Sequence, residues 1–149
     1  MFWNKKGLEK KIKVLIAEDE RVIREYIEKI LINDGYEVIG VSRGDEAVKR
    51  TEIENPDMII LDIVMEKDNA GLEALQKIKE KYGDKIPIIL LTSKDRREDI
   101  LKGYKYGADY YIPKSDFKKN KETLLKGIHM ILSAPIEERE DIAKKYGLI

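Results

Sequence analysis

The chain has 149 residues, enough for one domain with a real core, and its 29 basic side chains balance 29 acidic ones. That balance removes the general field that would draw nucleic acid, and the lack of cysteine excludes a disulfide framework and leaves the cytoplasm as the default compartment. No apolar run approaches the roughly 20 residues of a membrane span, and the first residues do not form a signal peptide.

Residues 1–11 show no clear period and read as an N-terminal extension. Phe2 and Trp3 stand beside basic residues, a pairing that can touch a membrane surface or a partner. A loosely ordered terminus is the simpler expectation. Ile12 to Ala17 is the first predicted strand, and it stops at Glu18-Asp19-Glu20. A helix follows, because Val22, Ile23, Tyr26, Ile27, Ile30 and Leu31 fall on one face at helical spacing. Glu25 and Lys29 offer it an i,i+4 pair, and Gly35 a C-terminal cap. Tyr36 to Val41 is the second strand, and residues 44–54 the second helix, carrying Ala47, Val48 and Ile53 and stopped by Pro56.

The third strand is the pivot. In residues 57–65, Asp57-Met58-Ile59-Ile60-Leu61-Asp62-Ile63-Val64-Met65, an apolar run ends on one carboxylate. Such a run reads as a strand buried on both faces, as in a parallel sheet covered by helices. Asp62 therefore belongs at its carboxyl end, the edge where open parallel sheets bind ligands. After a loop to Gly71, Leu72, Leu75 and Ile78 begin a third helix, which Gly83 closes. Ile86 to Thr92 is the fourth strand, and residues 95–106 the fourth helix, with Ile100, Leu101 and Tyr104 on its apolar side. Ala108 to Pro113 is a short fifth strand, followed at once by Lys114, and Leu124, Leu125, Ile128 and Leu132 mark a fifth helix.

Five strands alternating with five helices predict an α/β domain over residues 12–133. It is a doubly wound, five-stranded parallel sheet of the flavodoxin-like kind, order 2-1-3-4-5. Pro135 breaks the chain, and residues 134–149 read as an extra C-terminal helical tail in which Ile142, Tyr146 and Ile149 share one face. Asp141 to Leu148 carries the pattern of the first helix of a helix-turn-helix, but no recognition helix follows it.

The strand ends then assemble a site. Strand one delivers Glu18 and Asp19, strand three Asp62, strand four Thr92 and strand five Lys114. Strands one and three are neighbours in this order, so Asp19 and Asp62 should converge. Carboxylates gathered at one place repel unless a cation is present. An all-oxygen site with room for water suits Mg²⁺. Lys114 offers a point charge for a phosphoryl oxygen and Thr92 a hydroxyl. A carboxylate nucleophile, a divalent cation and a lysine are the parts needed for an acyl phosphate on Asp62. A single Asp at a strand end is ordinarily a helix cap, and Asp19 alone reads that way. All five groups in order on the right strand ends do not.

At this point the sequence resembles the receiver domain of two-component response regulators, over roughly residues 12–133. The resemblance rests on Val14-Leu15-Ile16-Ala17-Glu18-Asp19-Glu20, Ile59-Ile60-Leu61-Asp62-Ile63-Val64-Met65, Leu90-Leu91-Thr92-Ser93 and Gly107-Ala108-Asp109-Tyr110-Tyr111-Ile112-Pro113-Lys114. It implies that Asp62 is the phosphoacceptor and that Glu18, Asp19, Asp62 and the Val64 carbonyl hold Mg²⁺. It makes Thr92 the switch hydroxyl, Lys114 the phosphate-contacting lysine and Tyr111 the switch aromatic, expected to turn inward on phosphorylation. Val64 and Lys94, two positions beyond the acceptor and the switch hydroxyl, flank the path of the hydrolytic water and should tune dephosphorylation.

Two departures from the family stand out. Receivers usually have a proline directly after the lysine, with a cis bond between them, whereas here Pro113 precedes Lys114 and Ser115 follows. A cis Lys114–Ser115 bond would cost about 3 kcal/mol without proline. Receivers also commonly have Met-Pro and then Asp-Gly after the acceptor. Here Met65-Glu66-Lys67-Asp68-Asn69-Ala70-Gly71 lacks the proline and is one residue longer.

The resemblance implies a stand-alone receiver, a monomer or weak dimer, and no enzyme beyond its own phosphorylation and dephosphorylation. The phosphoryl donor would be a sensor histidine kinase or a histidine phosphotransfer protein. The output protein, unnamed by the sequence, would dock on the face of the fourth helix, fifth strand and fifth helix, near the tyrosines Tyr104, Tyr106, Tyr110 and Tyr111. A Mg²⁺-dependent phosphatase of the haloacid-dehalogenase kind also uses a strand-end Asp, but would need a second Asp where this chain has Val64. Other readings are a phosphorylation-independent interaction module, which a complete pocket argues against, and a DNA-binding regulator, which zero net charge disfavours. His129, the only histidine, lacks partners for a metal or catalytic role, and Lys118-Lys119-Asn120-Lys121 reads as a solvated face.

Overall fold

The computed structural model describes residues 2–3 and 9–133. Its centre is a parallel sheet of β3 (Lys13–Ala17), β4 (Glu37–Val41), β5 (Met58–Leu61), β6 (Ile88–Thr92) and β7 (Tyr110–Pro113). The spatial order is β4-β3-β5-β6-β7, which is 2-1-3-4-5 when the sheet strands alone are counted. Every neighbouring pair is parallel, with Ile16 opposite Ile60 and Leu61 opposite Leu90.

Alternation along the central strands explains the two layers of helices. Leu15, Ile59, Leu61 and Leu90 point to one side, where they meet Ala47 of α2 (Gly44–Glu54) and Leu75 and Ile78 of α3 (Ala70–Tyr82). Partly buried Ile100 and Tyr104 of α4 (Arg97–Lys105) join them. Val14, Ile16, Ile60 and Ile89 point to the other side. They pack on Ile27 and Leu31 of α1 (Arg21–Asn33) and on Leu124 and Ile128 of α6 (Glu122–Ser133). A strand with helices on both faces has no solvated side, so β5 and β6 are apolar throughout until the chain leaves the sheet.

The structure differs from the sequence reading at several places. On α1, Ile27, Ile30 and Leu31 are buried, but Val22 is 81% and Tyr26 48% exposed. α1 starts at the carboxyl edge of β3, so its first turn stands beyond the sheet it would otherwise cover. Glu25 pairs with Arg21 at 2.8 Å, where the sequence reading offered it Lys29. A short helix unseen in the sequence, α5 (Lys114–Lys119), follows β7 directly. Pro113 precedes it in extended conformation and Phe117 anchors it in the core, 5.7 Å from the Tyr26 ring. The Lys114–Ser115 bond is trans, since no described bond is cis. Lys118 and Lys119 form the last turn of this helix.

Within the N-terminal extension, β1 (Phe2–Trp3) pairs antiparallel to β2 (Glu9–Lys10) as a two-residue ladder. Two-residue strands are too short for an alternating pattern to show in sequence. Asp57 precedes β5 and ties its start to β3, accepting from the Lys13 amide at 2.8 Å and facing the Lys10 ammonium at 3.2 Å. His129 meets Asp34 at 2.8 Å across the start of the α1–β4 turn, an exposed pair. The helical tail expected over residues 134–149 lies outside the described residues. No helix among the described residues is long and apolar enough to cross a membrane.

Candidate functional site

Three backbone continuations bring the polar groups together at the carboxyl edge of the sheet. Just past β3, the Glu18 amide donates to the Val41 carbonyl of β4 at 3.0 Å. Just past β5, the Asp62 amide donates to the Ala17 carbonyl at 3.0 Å. The two strands therefore release their first polar residues side by side, and Glu18, Asp19 and Asp62 each place a carboxylate oxygen within 4.8 Å of the others. Lys114, the first residue of α5, reaches in from the end of β7. Its ammonium lies 2.7 Å from Asp62 Oδ2 and 2.6 Å from Glu18 Oε1.

Asp62 is 4%, Glu18 2% and Lys114 5% exposed, whereas Asp19 opens to solvent. Burial pushes the Glu18 carboxyl up to about 8, with the close Lys114 ammonium pulling the other way. Burial also works against the charge on Lys114, but its hydrogen bond to Asp62 and its close contact with Glu18 outweigh that and hold its pKa above the ordinary lysine value. One ammonium thus serves two buried carboxylates incompletely. The contact to Glu18 is an ion pair without hydrogen-bond alignment, and neither Glu18 oxygen has a hydrogen-bond partner.

That shortfall fits a divalent cation. Three carboxylates of which one faces water, with buried oxygens left unpartnered, form a hard, all-oxygen donor set of the kind Mg²⁺ takes. The next residues can add to it, since Val64 lies on the same loop with its amide 3.4 Å from Asp62 Oδ1. Gly71 explains how that loop fits: a Cβ there would stand 1.9 Å from the Asp62 carbonyl oxygen, so only glycine lets α3 begin so close to the strand end.

Across the site, Thr92 ends β6 with no exposure, and its hydroxyl accepts from the Lys94 amide at 3.3 Å. Tyr111 on β7 is 1% exposed, and its hydroxyl donates to the Lys94 carbonyl. Burial raises the Tyr111 phenol, which keeps it a donor. In this structure the Tyr111 ring lies inward, and the backbone of Lys94 is held from both sides.

Sequence reasoning missed two supports of the site. Arg24 on α1 donates from Nη1 to the Glu18 carbonyl at 2.8 Å and stands 3.8 Å from Glu28. Glu66, in the loop after Asp62, accepts from the backbone amides of Gly44 and Asp45. An arginine one turn into the helix after an acidic pair was the available signal for the first. A lone glutamate in a loop gave none for the second, because its partners are 22 and 21 residues away.

Comparison with known proteins agrees with this geometry. A family model for the response regulator receiver domain matches residues 14–129. The alkaline phosphatase synthesis transcriptional regulatory protein PhoP of Bacillus subtilis is 37% identical over 102 residues, covering 68% of this chain and 42% of that protein. The chain thus matches less than half the length of that relative. The chemotaxis response regulator CheY4 of Vibrio cholerae superposes with a TM-score of 0.73 at 30% identity, covering 82% of this chain and 99% of that one. The response regulator TrrA of Thermotoga maritima, solved in complex with Mg²⁺-BeF, gives a TM-score of 0.65 at 36% identity over 77% of this chain and 97% of its own. The chain belongs to the response regulator receiver domain family of two-component signalling.

Proposed function

We propose that this chain is a phosphorylation-controlled switch in which Asp62 accepts a phosphoryl group from a phosphohistidine on a sensor histidine kinase or a phosphotransfer protein. The observation that carries the reading is the placement of Asp62. It is buried at the end of the central strand, beside Glu18 and Asp19 and 2.7 Å from the Lys114 ammonium. The receiver unit is residues 12–133, with the chain on either side as flanking segments.

In the transfer, an Asp62 oxygen attacks phosphorus in line with the departing imidazole nitrogen. An O–P bond forms, the N–P bond breaks, and the imidazole leaves with the bonding pair and takes up a proton. Glu18, Asp19, Asp62 and the Val64 carbonyl would hold Mg²⁺, whose positive charge would let an anionic phosphoryl group approach a carboxylate. That a related receiver, TrrA, was solved with Mg²⁺-BeF supports this assignment. Lys114 exchanges part of its contact with Asp62 for a phosphoryl oxygen, and Thr92 turns its hydroxyl from the Lys94 amide to another. The chain catalyses this step, and the hydrolysis of the acyl phosphate to carboxylate and inorganic phosphate, on itself alone.

Because Tyr111 already lies inward, phosphorylation acts by stabilising the arrangement seen here over others. Drawing Thr92 to the phosphoryl group fixes the Lys94 backbone that Tyr111 holds. The face of α4, β7 and α6 then presents a settled surface to an output protein. The functional reading is tested by intact-mass measurement after incubation with acetyl phosphate. A gain of one phosphoryl group with Mg²⁺, lost with a chelator, is expected, and no gain under either condition contradicts it.

The lifetime of the signal is set by the residues beside the acceptor. Hydrolysis needs a water in line behind phosphorus, opposite the Asp62 oxygen. Val64 is apolar and half-buried, and Lys94 carries a charged amine that can donate but not accept a proton, so neither orients that water as a base. Self-dephosphorylation should be slow, and Val64→Asn, which adds an orienting amide, should speed it about tenfold. Phosphate release followed on both proteins checks this, and a wild type that decays as fast as the variant removes these two positions from the account.

A further inference from the structure

We propose that Glu66 is a positioning residue for the metal site: by pinning the loop after Asp62 to the amino terminus of α2, it holds the Val64 carbonyl in place. The inference rests on the reading that this carbonyl is a Mg²⁺ ligand. Glu66 Oε1 accepts from the Gly44 amide at 2.6 Å and Oε2 from the Asp45 amide at 3.2 Å, and the side chain is only 11% exposed. These amides belong to the first turn of α2, where helical N–H groups have no partner within the helix. Arg43, 3.8 Å from Oε2, balances the charge.

The rest of the loop closes on itself. Met65 and Ala70 both donate to the Lys67 carbonyl at 3.2 Å, and Gly71 donates to the Ile63 carbonyl at 2.8 Å. Ile63 and Met65 are buried, which fixes the side-chain face of the segment. Glu66 supplies two further backbone ties, and they lead outward to a neighbouring helix. The approach is close, since a Cβ on Gly44 would stand 2.6 Å from the Ala70 carbonyl oxygen at the start of α3. The loop is therefore tied at both ends of one short stretch: the Asp62 amide holds to Ala17, and the Glu66 carboxylate holds to α2. Between them the Val64–Met65 peptide, a rigid plane, has little freedom left.

This chain's departure from its family falls at the same place. Where receivers commonly carry a proline that restricts the backbone by its ring, this chain has Glu66, which leaves the backbone torsions free. The carboxylate tether to α2 replaces the covalent restraint with a hydrogen-bonded one. It also suits a loop one residue longer, in which a local ring would restrain only part of the span.

The test uses the full chain in wild-type, Glu66→Ala and Glu66→Gln forms. Amide hydrogen exchange is followed at Met65 and Gly71 without metal, and Mg²⁺ affinity is measured by calorimetry. Losing a partner that orients a metal ligand should weaken Mg²⁺ binding about tenfold in Glu66→Ala and speed exchange at both amides. Glu66→Gln keeps one acceptor oxygen for the Gly44 amide but turns an NH2 group toward the Asp45 amide, so it should fall between the other two in both exchange and Mg²⁺ affinity. Weaker Mg²⁺ binding in both variants without faster exchange makes the charge responsible and overturns the inference, as does unchanged Mg²⁺ affinity in Glu66→Ala. A wild type that binds no Mg²⁺ overturns the functional reading, and the exchange measurement still decides whether Glu66 holds the loop.

Discussion

Asp62→Asn should show no phosphoryl mass gain at any concentration of acetyl phosphate that modifies the wild type. The amide fills the same space at the end of β5 and can still accept from the Lys114 ammonium, which lies 2.7 Å from Oδ2 in the parent protein. It lacks the negative oxygen that attacks phosphorus, so the chemistry stops while the fold remains. The change leaves the Glu18 carboxyl, 2.6 Å away, as the group that faces the Lys114 ammonium. Circular dichroism and a melting curve confirm folding beside the mass measurement. A folded Asn variant phosphorylated as fully as wild type would move the acceptor elsewhere.

The second large effect is expected at Lys114. Its ammonium is buried between Glu18 and Asp62 and is the one cation in ion-pair contact with either among the described residues. Lys114→Met keeps the length of the stem and removes the charge. Breaking a buried ion pair from one side typically costs several kcal/mol, and here about 3 kcal/mol of stability should be lost in metal-free protein. The loss is moderated because Glu18, whose carboxyl burial already pushes up to about 8, can take a proton. A carboxyl raised in the folded state binds more protons than the unfolded chain, so both proteins should lose stability as pH rises from about 4.5 toward about 8. The variant's deficit should widen as pH rises past about 8, where the wild-type carboxylate has the ammonium beside it and the variant's does not. Mg²⁺ should then stabilise the variant more than the wild type, since no ammonium competes for the same oxygens. Thermal melts with and without Mg²⁺ at two pH values measure both effects. Equal Mg²⁺-induced shifts in the two proteins would show that Lys114 and the cation do not share these carboxylates.

What could be read in advance follows from how local each determinant is. β5 and β6 are continuous apolar runs that stop at Asp62 and Thr92, and the stop alone placed those residues at the sheet's carboxyl edge. The convergence of Glu18 and Asp62 followed from strand order, because β3 lies next to β5. Other features depended on partners far along the chain. Val22 has the right spacing for a buried face, yet it lies in a turn that overhangs the sheet, which spacing cannot reveal. α5 is six residues of mixed charge whose one anchor, Phe117, gives no helical period. Tyr111 was placed correctly on its strand, but its inward position depends on the Lys94 carbonyl across the site. Glu66 had no local signal, since the groups it satisfies are the unpartnered amides of another helix.

The central claim is that the carboxylate of Asp62 becomes an acyl phosphate. Borohydride reduction of freshly phosphorylated protein converts an aspartyl phosphate to homoserine, which peptide mass mapping locates. The account predicts homoserine at position 62 alone, dependent on Mg²⁺ and absent from untreated protein. Homoserine at Asp19 or any other aspartate, or none under conditions that add a phosphoryl group, would contradict it.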